Sequence, residues 1–263
     1  MLENQVTLRT RTLVRLLHHA GSEPHPTLEK GATWYSPEAL QRIDADVHAE
    51  LAGAGLAGDG GVHPDLLATV EAIAHPELEY YGWITAIVEG APVNLTVFAG
   101  SGRGEGFTLV HNTDAGAVAV ASVPAAQLLE AFLAQLPPWT TTSGRTIAVP
   151  KSTIEGRSND TSNEDHFSVM RSETPSASER DVAEFKRLIG LERHGGGQLY
   201  VATRHRSGHR RRAERPVSYV DTDEGRWLVE ETAGTGEPML SAAPATSALL
   251  GSRLREAQST LGA

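Results

Sequence analysis

The stretch from Leu78 to Val123 constrains the fold most, because its apolar residues recur at every second position and its interruptions are short. Leu78–Val88 alternates, Glu89-Gly90-Ala91-Pro92 turns the chain, and Val93–Phe98 alternates again. After the glycine run from Gly100 to Gly106, Phe107–His111 and Ala117–Val123 flank the turn Asn112-Thr113-Asp114-Ala115-Gly116. Period-two runs joined by tight Gly- and Asn-containing turns predict antiparallel hairpins. Parallel crossovers would need connections of about a dozen residues or more.

Helical spacing surrounds this block. Leu13, Val14, Leu16 and Leu17 form a stripe ending near Gly21. Ser36-Pro37-Glu38 predicts a capped helix start, with Ser as N-cap and Pro in the first turn. Leu40, Ile43, Val47 and Leu51 follow, and Gly53 and Gly55 stop the helix. A third helix starts near Pro64 and carries Leu66, Leu67, Val70 and Ile73; a fourth starts at Pro124 and carries Leu128, Leu129, Phe132, Leu133 and Leu136. Thr146–Val149 has the length of a short edge strand.

Residues 150–177 are rich in Ser, Thr, Asn and carboxylates and lack apolar periodicity, which predicts a flexible linker. Beyond it the plan recurs. Ser178 is the expected cap of a helix with Val182, Phe185, Leu188 and Ile189, which Gly195-Gly196-Gly197 breaks. Leu199–Arg204, Pro216–Val220 and Arg226–Glu231 are expected strands, and Pro244–Leu261 a closing helix. Asp221-Thr222-Asp223-Glu224-Gly225 repeats the earlier turn at an offset of 109 residues. Shared element order and a shared turn predict duplication. The expected fold is α+β, with a central, mainly antiparallel sheet flanked by helices and two pseudo-symmetric halves. A single domain over 1–263 would hold a first half at 60–149, the linker at 150–177 and a second half at 178–263.

Charge and composition narrow the function. With 33 Asp and Glu against 23 Lys and Arg, the net charge is −10. An acidic chain is a poor general binder of nucleic acid, whose phosphates need a basic surface. The absence of cysteine removes disulfide frameworks, zinc ribbons and thiolate nucleophiles. No apolar run approaches the ~20 residues that span a bilayer, and Met1–Gln5 does not open a secretory signal. The expectation is a cytoplasmic protein with no stable membrane insertion.

No catalytic constellation emerges. A phosphate loop leads from a strand into a helix, whereas Gly100–Gly106 leads into the strand Phe107–Val110. An enzyme that binds a small molecule or nucleotide through this glycine-rich loop is the alternative reading. Asp221–Gly225 lacks the downstream bidentate Glu of a calcium loop, and Glu164-Asp165-His166 lies in the linker, where nothing rigid could hold a metal. No catalytic residue, metal ligand or cofactor is expected.

Two surface features remain. Residues 204–215 carry six arginines against one glutamate, which fits an acidic partner or a solvated hairpin tip that resists aggregation. The second is a mixed sheet face: Tyr81, Trp83 and Thr85 alternate with apolar residues, as do Asn94, Thr96 and Phe98, and Tyr200 and Arg204. Tyr, Trp and Arg are enriched at interfaces, although the protein's own helices could equally cover this face.

Gly208–Val229, which includes Arg210-Arg211-Arg212 and Asp221-Thr222-Asp223-Glu224-Gly225-Arg226-Trp227, resembles the signature of the EspG family. Gly195-Gly196-Gly197-Gln198-Leu199-Tyr200-Val201 and His75-Pro76-Glu77-Leu78-Glu79 are similar to that family as well. The likeness in motifs is concentrated in residues 195–230, while the likeness in element order covers most of the chain. The resemblance implies a cytosolic type VII (ESX) secretion chaperone rather than an enzyme. It also implies a sheet with internal pseudo-twofold symmetry, and a PPE-like partner recognised at the helical tip of a PE–PPE heterodimer. Homodimerisation stays open. The expected contact residues are Tyr81, Trp83, Thr85, Asn94, Thr96, Phe98, Tyr200 and Arg204, with the C-terminal helix as a second area.

Overall fold

The computed structural model describes residues 1–29, 34–102, 104–155, 176–205, 208–232 and 236–262. The chain opens with β1 (Val6–Arg9), α1 (Thr10–His19) and α2 (Pro37–Gly53). A small ribbon of β2 (Ala57–Gly58) and β3 (Gly61–Val62) then leads to α3 (Pro64–Ala74). Four strands follow: β4 (Leu78–Val88), β5 (Ala91–Gly102), β6 (Glu105–Asn112) and β7 (Ala117–Pro124). Next come α4 (Leu128–Leu133), β8 (Ile147–Pro150) and α5 (Lys151–Glu155). After α6 (Ala177–Ile189) come β9 (Arg193–Arg204), β10 (Arg210–Arg212), β11 (Val217–Thr222), β12 (Gly225–Thr232) and β13 (Met239–Pro244). The final helix is α7 (Ser247–Ser259). Every strand pairing whose register is defined is antiparallel, as the short turns require.

The chain divides into two compact units. The first comprises Met1–Pro137, Gly197–Pro216 and Gly251–Ala263. Its strands run in the order β1-β7-β6-β5-β4-β9, and β10 pairs with β9. Cross-strand partners share a face, so the register defines rows of side chains. Tyr81, Phe98, Leu109, Val120 and Val6 form one row; Trp83, Thr96, His111, Val118 and Leu8 form the next. Leu13, Leu16 and Leu17 of α1, Val47 and Leu51 of α2, and Leu66, Val70 and Ile73 of α3 complete this core. Each such side chain contributes about 1.5–3 kcal/mol by leaving water. On the opposite face Tyr80, Ile84, Val97 and Ala99 are buried. Tyr80 meets Phe132 of α4 at 5.8 Å between ring centroids, and its hydroxyl donates to Gln258 Oε1 of α7 at 2.5 Å.

The second unit comprises Pro138–Gly196 and Val217–Leu250. Its strands run β11-β12-β13-β8. Phe185 and Leu188 of α6 pack with Ile147, Val149, Trp227 and Ala242. A buried carboxylate–guanidinium pair, Asp221–Arg226, holds the β11–β12 hairpin at 2.7 and 2.9 Å, and the Arg226 guanidinium lies 4.3 Å from the Tyr219 ring centroid.

Several local expectations hold. Ser36 caps α2 by accepting from the Ala39 amide at 3.2 Å, and β4 spans Leu78–Val88 as the alternation requires. Others shift. The cap of α6 is Ser176, not Ser178, because Ser176 and Glu179 complete a reciprocal capping box. The glycines Gly100, Gly102 and Gly106 are strand residues of β5 and β6 rather than a loose connection. A Cβ at Gly100 would stand 2.8 Å from the Phe107 ring, and one at Gly106 would stand 2.8 Å from the Val123 carbonyl oxygen. Gly196 likewise belongs to β9, where a Cβ would meet the Tyr219 carbonyl oxygen at 2.7 Å. These glycines permit close strand approach instead of ending the element. Within the stretch expected to be a linker, residues 151–155 form α5, and residues 156–175 lie outside the described residues. β1, β10 and β13 were not anticipated.

Candidate docking surface

The eight residues expected to face a partner share the first unit but separate by depth. Tyr81 is 2% exposed, Thr96 4% and Phe98 0%. That corrects the expectation for these three: the segment between α1 and α2 covers this part of the face, with the His25 ring 4.7 Å from Tyr81 and 4.3 Å from Phe98, so they are core residues. Thr96 Oγ1 donates to the Thr27 carbonyl oxygen at 2.7 Å, which fastens the segment before α2 to the sheet. Asn94 is exposed but engaged. Its amide donates to Asp114 Oδ2 at 2.9 Å and its carbonyl accepts from Thr113. The hydrogen bonds donated by the Asn94 backbone and side chain hold the Asp114 carboxyl below its usual range.

Trp83, Tyr200 and Arg204 are half-buried and Thr85 is exposed, so the face opens toward the β4–β9 side. Here the aromatic rings form one cluster. Tyr81 and Tyr200 stack at 5.4 Å with an interplanar angle of 12°. Trp83 stands edge-on to both, at 5.5 and 5.6 Å. Two arginines of β10 cap the cluster, Arg210 over Tyr81 at 5.3 Å and Arg212 over Tyr200 at 5.1 Å. Ile87, 41% exposed, extends the apolar surface toward the Glu89-Gly90 turn.

An ionic pair with a buried carboxylate sits under this rim. Glu79, 3% exposed, is paired with Arg210. Burial pushes its carboxyl upward, and the guanidiniums of Arg210 and Arg204 pull it back only in part. His25 lies beside it, stacked on Phe98 at 4.3 Å and 4.0 Å from the Glu79 carboxylate. Desolvation first, and Arg210 second, lower its imidazole to about 3. At neutral pH His25 is therefore an uncharged filler, and Glu79–Arg210 is the charge pair that holds β10 against the sheet.

A second apolar surface escaped the sequence reading. Val14, Leu40 and Ile43 line a groove of about 790 Å³ between α1 and α2, beside Trp34 and Tyr35. Trp34 is 84% exposed. The signal was the adjacent pair Trp34-Tyr35 just before the Ser36 cap, since exposed aromatics have little reason to stand in a solvated connection.

Nothing else in the described residues suggests chemistry. They contain no group of three or more His, Cys, Asp or Glu placed to hold a metal, and no helix long and apolar enough to cross a membrane. The glycine-rich run forms the β5–β6 hairpin, with no helix N-terminus to receive a phosphate.

The model of the EspG family matches residues 10–256. No curated protein matches the chain. Fourteen chains of solved structures do. One is the Mycobacterium tuberculosis type VII secretion system chaperone EspG5, solved in complex with a PE25–PPE41 dimer. It is 14% identical, with a TM-score of 0.63, over 98% of this chain and 97% of that one. The two share a fold: a large antiparallel sheet flanked by helices.

Proposed function

Because the chain belongs to the EspG family, we propose that it is a cytoplasmic chaperone of a type VII secretion system that binds a PPE-like protein within a PE–PPE heterodimer. The observation that carries this reading is the open end of the mixed sheet face. Trp83 and Tyr200 present aromatic area that is fixed by mutual stacking, so little side-chain entropy is lost on binding. Arg212, Arg204 and Thr85 supply a polar rim, and Ile87 continues the apolar surface. Aromatic anchors within a polar rim are the composition of an interface centre. An apolar helical tip laid there would be shielded from self-association until delivery. The solved relative was captured with a PE–PPE dimer, which supports this choice of partner.

The chemistry asked of the surface is binding and release. The two halves that share the turns at Asn112–Gly116 and Asp221–Gly225 are read as a duplication, supported by both turns closing antiparallel hairpins. Co-expression with a PPE-like protein and its PE partner is expected to give one complex on gel filtration. Trp83→Ala should weaken that complex about thirtyfold or more, the scale of an interface hot spot. A complex that forms with unchanged affinity in Trp83→Ala and Tyr200→Ala would move the interface elsewhere. Failure of the wild-type chain to bind any PE–PPE pair would overturn the function itself.

A further inference from the structure

We propose that the outer edge of β10 is a strand-addition site for an extended acidic segment, with one carboxylate seated against Arg212. The backbone defines the edge. β10 pairs with β9 through Arg210↔Arg204, Arg211↔Thr203 and Arg212↔Ala202, and among the described residues it has no other ladder partner. The Ala213 amide donates to the Val201 carbonyl at 3.0 Å, and the His209 carbonyl accepts from the His205 amide at 2.9 Å. Inward-facing residues alternate in an antiparallel pair, so 209, 211 and 213 bond to β9. The amide and carbonyl groups of Arg210 and Arg212 therefore point away from the sheet, in position to accept another strand.

The side chains select the occupant. All three residues of β10 are exposed arginines. Residues 204, 210, 211, 212 and 215 are arginines, and Glu214 is the one carboxylate between 204 and 215. Their engagements differ. Arg210 is committed to Glu79, and Arg211 Nη1 donates to the Leu261 carbonyl at 2.8 Å. Arg212 makes its contact with the Tyr200 ring and has no ion pair among the described residues. A second copy of this chain is excluded as occupant, because it would place arginines opposite arginines, which destabilises a ladder. An acidic strand reverses that sign. Alternate residues of an added strand lie about 6.8 Å apart on one face, matching Arg210 and Arg212. One carboxylate would meet Arg212 beside the Tyr200 ring. The remaining surface, on a chain of net charge −10, repels the same segment.

The inference does not depend on the cargo reading, and its test uses no cargo. The probe is a fluorescein-labelled peptide, acetyl-Ser-Glu-Val-Glu-Val-Glu-Ser-amide, titrated into the full-length protein by anisotropy at about 50 and about 300 mM salt. Three comparison peptides carry Lys for Glu, N-methyl groups on the Glu amides, or N-methyl groups on the Val amides. The expected result is saturable binding of the Glu peptide, weaker at the higher salt, and none of the Lys peptide. One N-methyl register should lose binding and the other keep it, because only alternate amides face the edge. Arg212→Gln and Arg212→Glu should lower affinity about tenfold or more, the scale of one charge-assisted hydrogen bond. Should either arginine variant fold poorly, the two N-methyl registers decide on the wild-type protein. Equal binding of both N-methyl peptides would reduce the edge to a diffuse basic patch and overturn strand addition. No binding of the Glu peptide would leave β10 as protection against aggregation alone and overturn the proposal entirely.

Discussion

The two ends of one sheet face are built from the same residue types and do different work. At the covered end, Tyr81, Phe98 and Thr96 lie under His25 and Thr27 and are essentially inaccessible. At the open end, Trp83 and Thr85 of β4 and Tyr200 of β9 stand on the same face and reach the surface. An aromatic residue on a sheet face is therefore no indicator of an interface by itself. What converts packing into a docking surface is where the covering segment stops. The Glu79–Arg210 pair marks that border, since the carboxylate is buried and the guanidinium is about one-third exposed.

The largest test of this contrast is Phe98→Ala. Phe98 has no exposed surface and contacts His25 and Phe107, so its truncation should cost about 3–5 kcal/mol in thermal or denaturant unfolding. The affinity of the molecules that remain folded should be unchanged. A selective loss of partner binding with intact stability would erase the distinction between the two ends.

Arg210→Ala sharpens the border. Glu79 already titrates above its ordinary value, so the folded state holds a proton in a window where the unfolded state has lost it. Its contribution therefore declines as pH rises from about 4.5 through the raised folded value. Without Arg210 that value climbs further. The stability deficit of the variant should be larger at pH 7 than near pH 4.5, as measured by urea unfolding at both. An equal deficit would mean that Arg210 acts by packing alone.

His25 gives the opposite slope. Its imidazole is neutral in the fold down to about 3. The unfolded chain takes up that proton near 6.5, so stability is complete above that and falls with acidification toward about 3, by at most about 1.4 kcal/mol per pH unit. His25→Phe, which keeps the stacked ring, should flatten the pH dependence of unfolding between those limits. An unchanged slope would place the acid-sensitive group elsewhere.

The smallest expected effect is at the rim. Thr85→Ala should shift partner affinity by less than about threefold with no measurable change in stability, as rim contacts do. Trp83→Ala, measured in parallel, should exceed it by about an order of magnitude. Equal effects would remove the anchor-and-rim arrangement.

Much of the architecture was legible beforehand. Alternation set β4, the Ser36-Pro37 start set α2, and Asn112–Gly116 and Asp221–Gly225 each close the hairpin expected of them. These are local rules, in which a residue's conformation follows from neighbours within a few positions. Glycines were misjudged because their role was steric across strands: Gly100 faces Phe107 and Gly196 faces the Tyr219 backbone, and neither neighbour is adjacent in sequence. The docking surface was half legible. Residue type identified the aromatic face, but nothing in the spacing of Tyr81 and Trp83 says which of them a distant segment will cover.

The sequence by itself determined the alternation, the turns, the caps and the absence of cysteine chemistry. It also determined the placement of arginines in a chain that is otherwise acidic. Only the tertiary structure decided that Arg210 reaches Glu79 across 131 positions, that Thr27 receives Thr96 across 69, and that Tyr200 stacks on Tyr81. The physical reason is range. Backbone preference and periodicity act over a turn or two, whereas burial depends on which distant elements pack together and where they end.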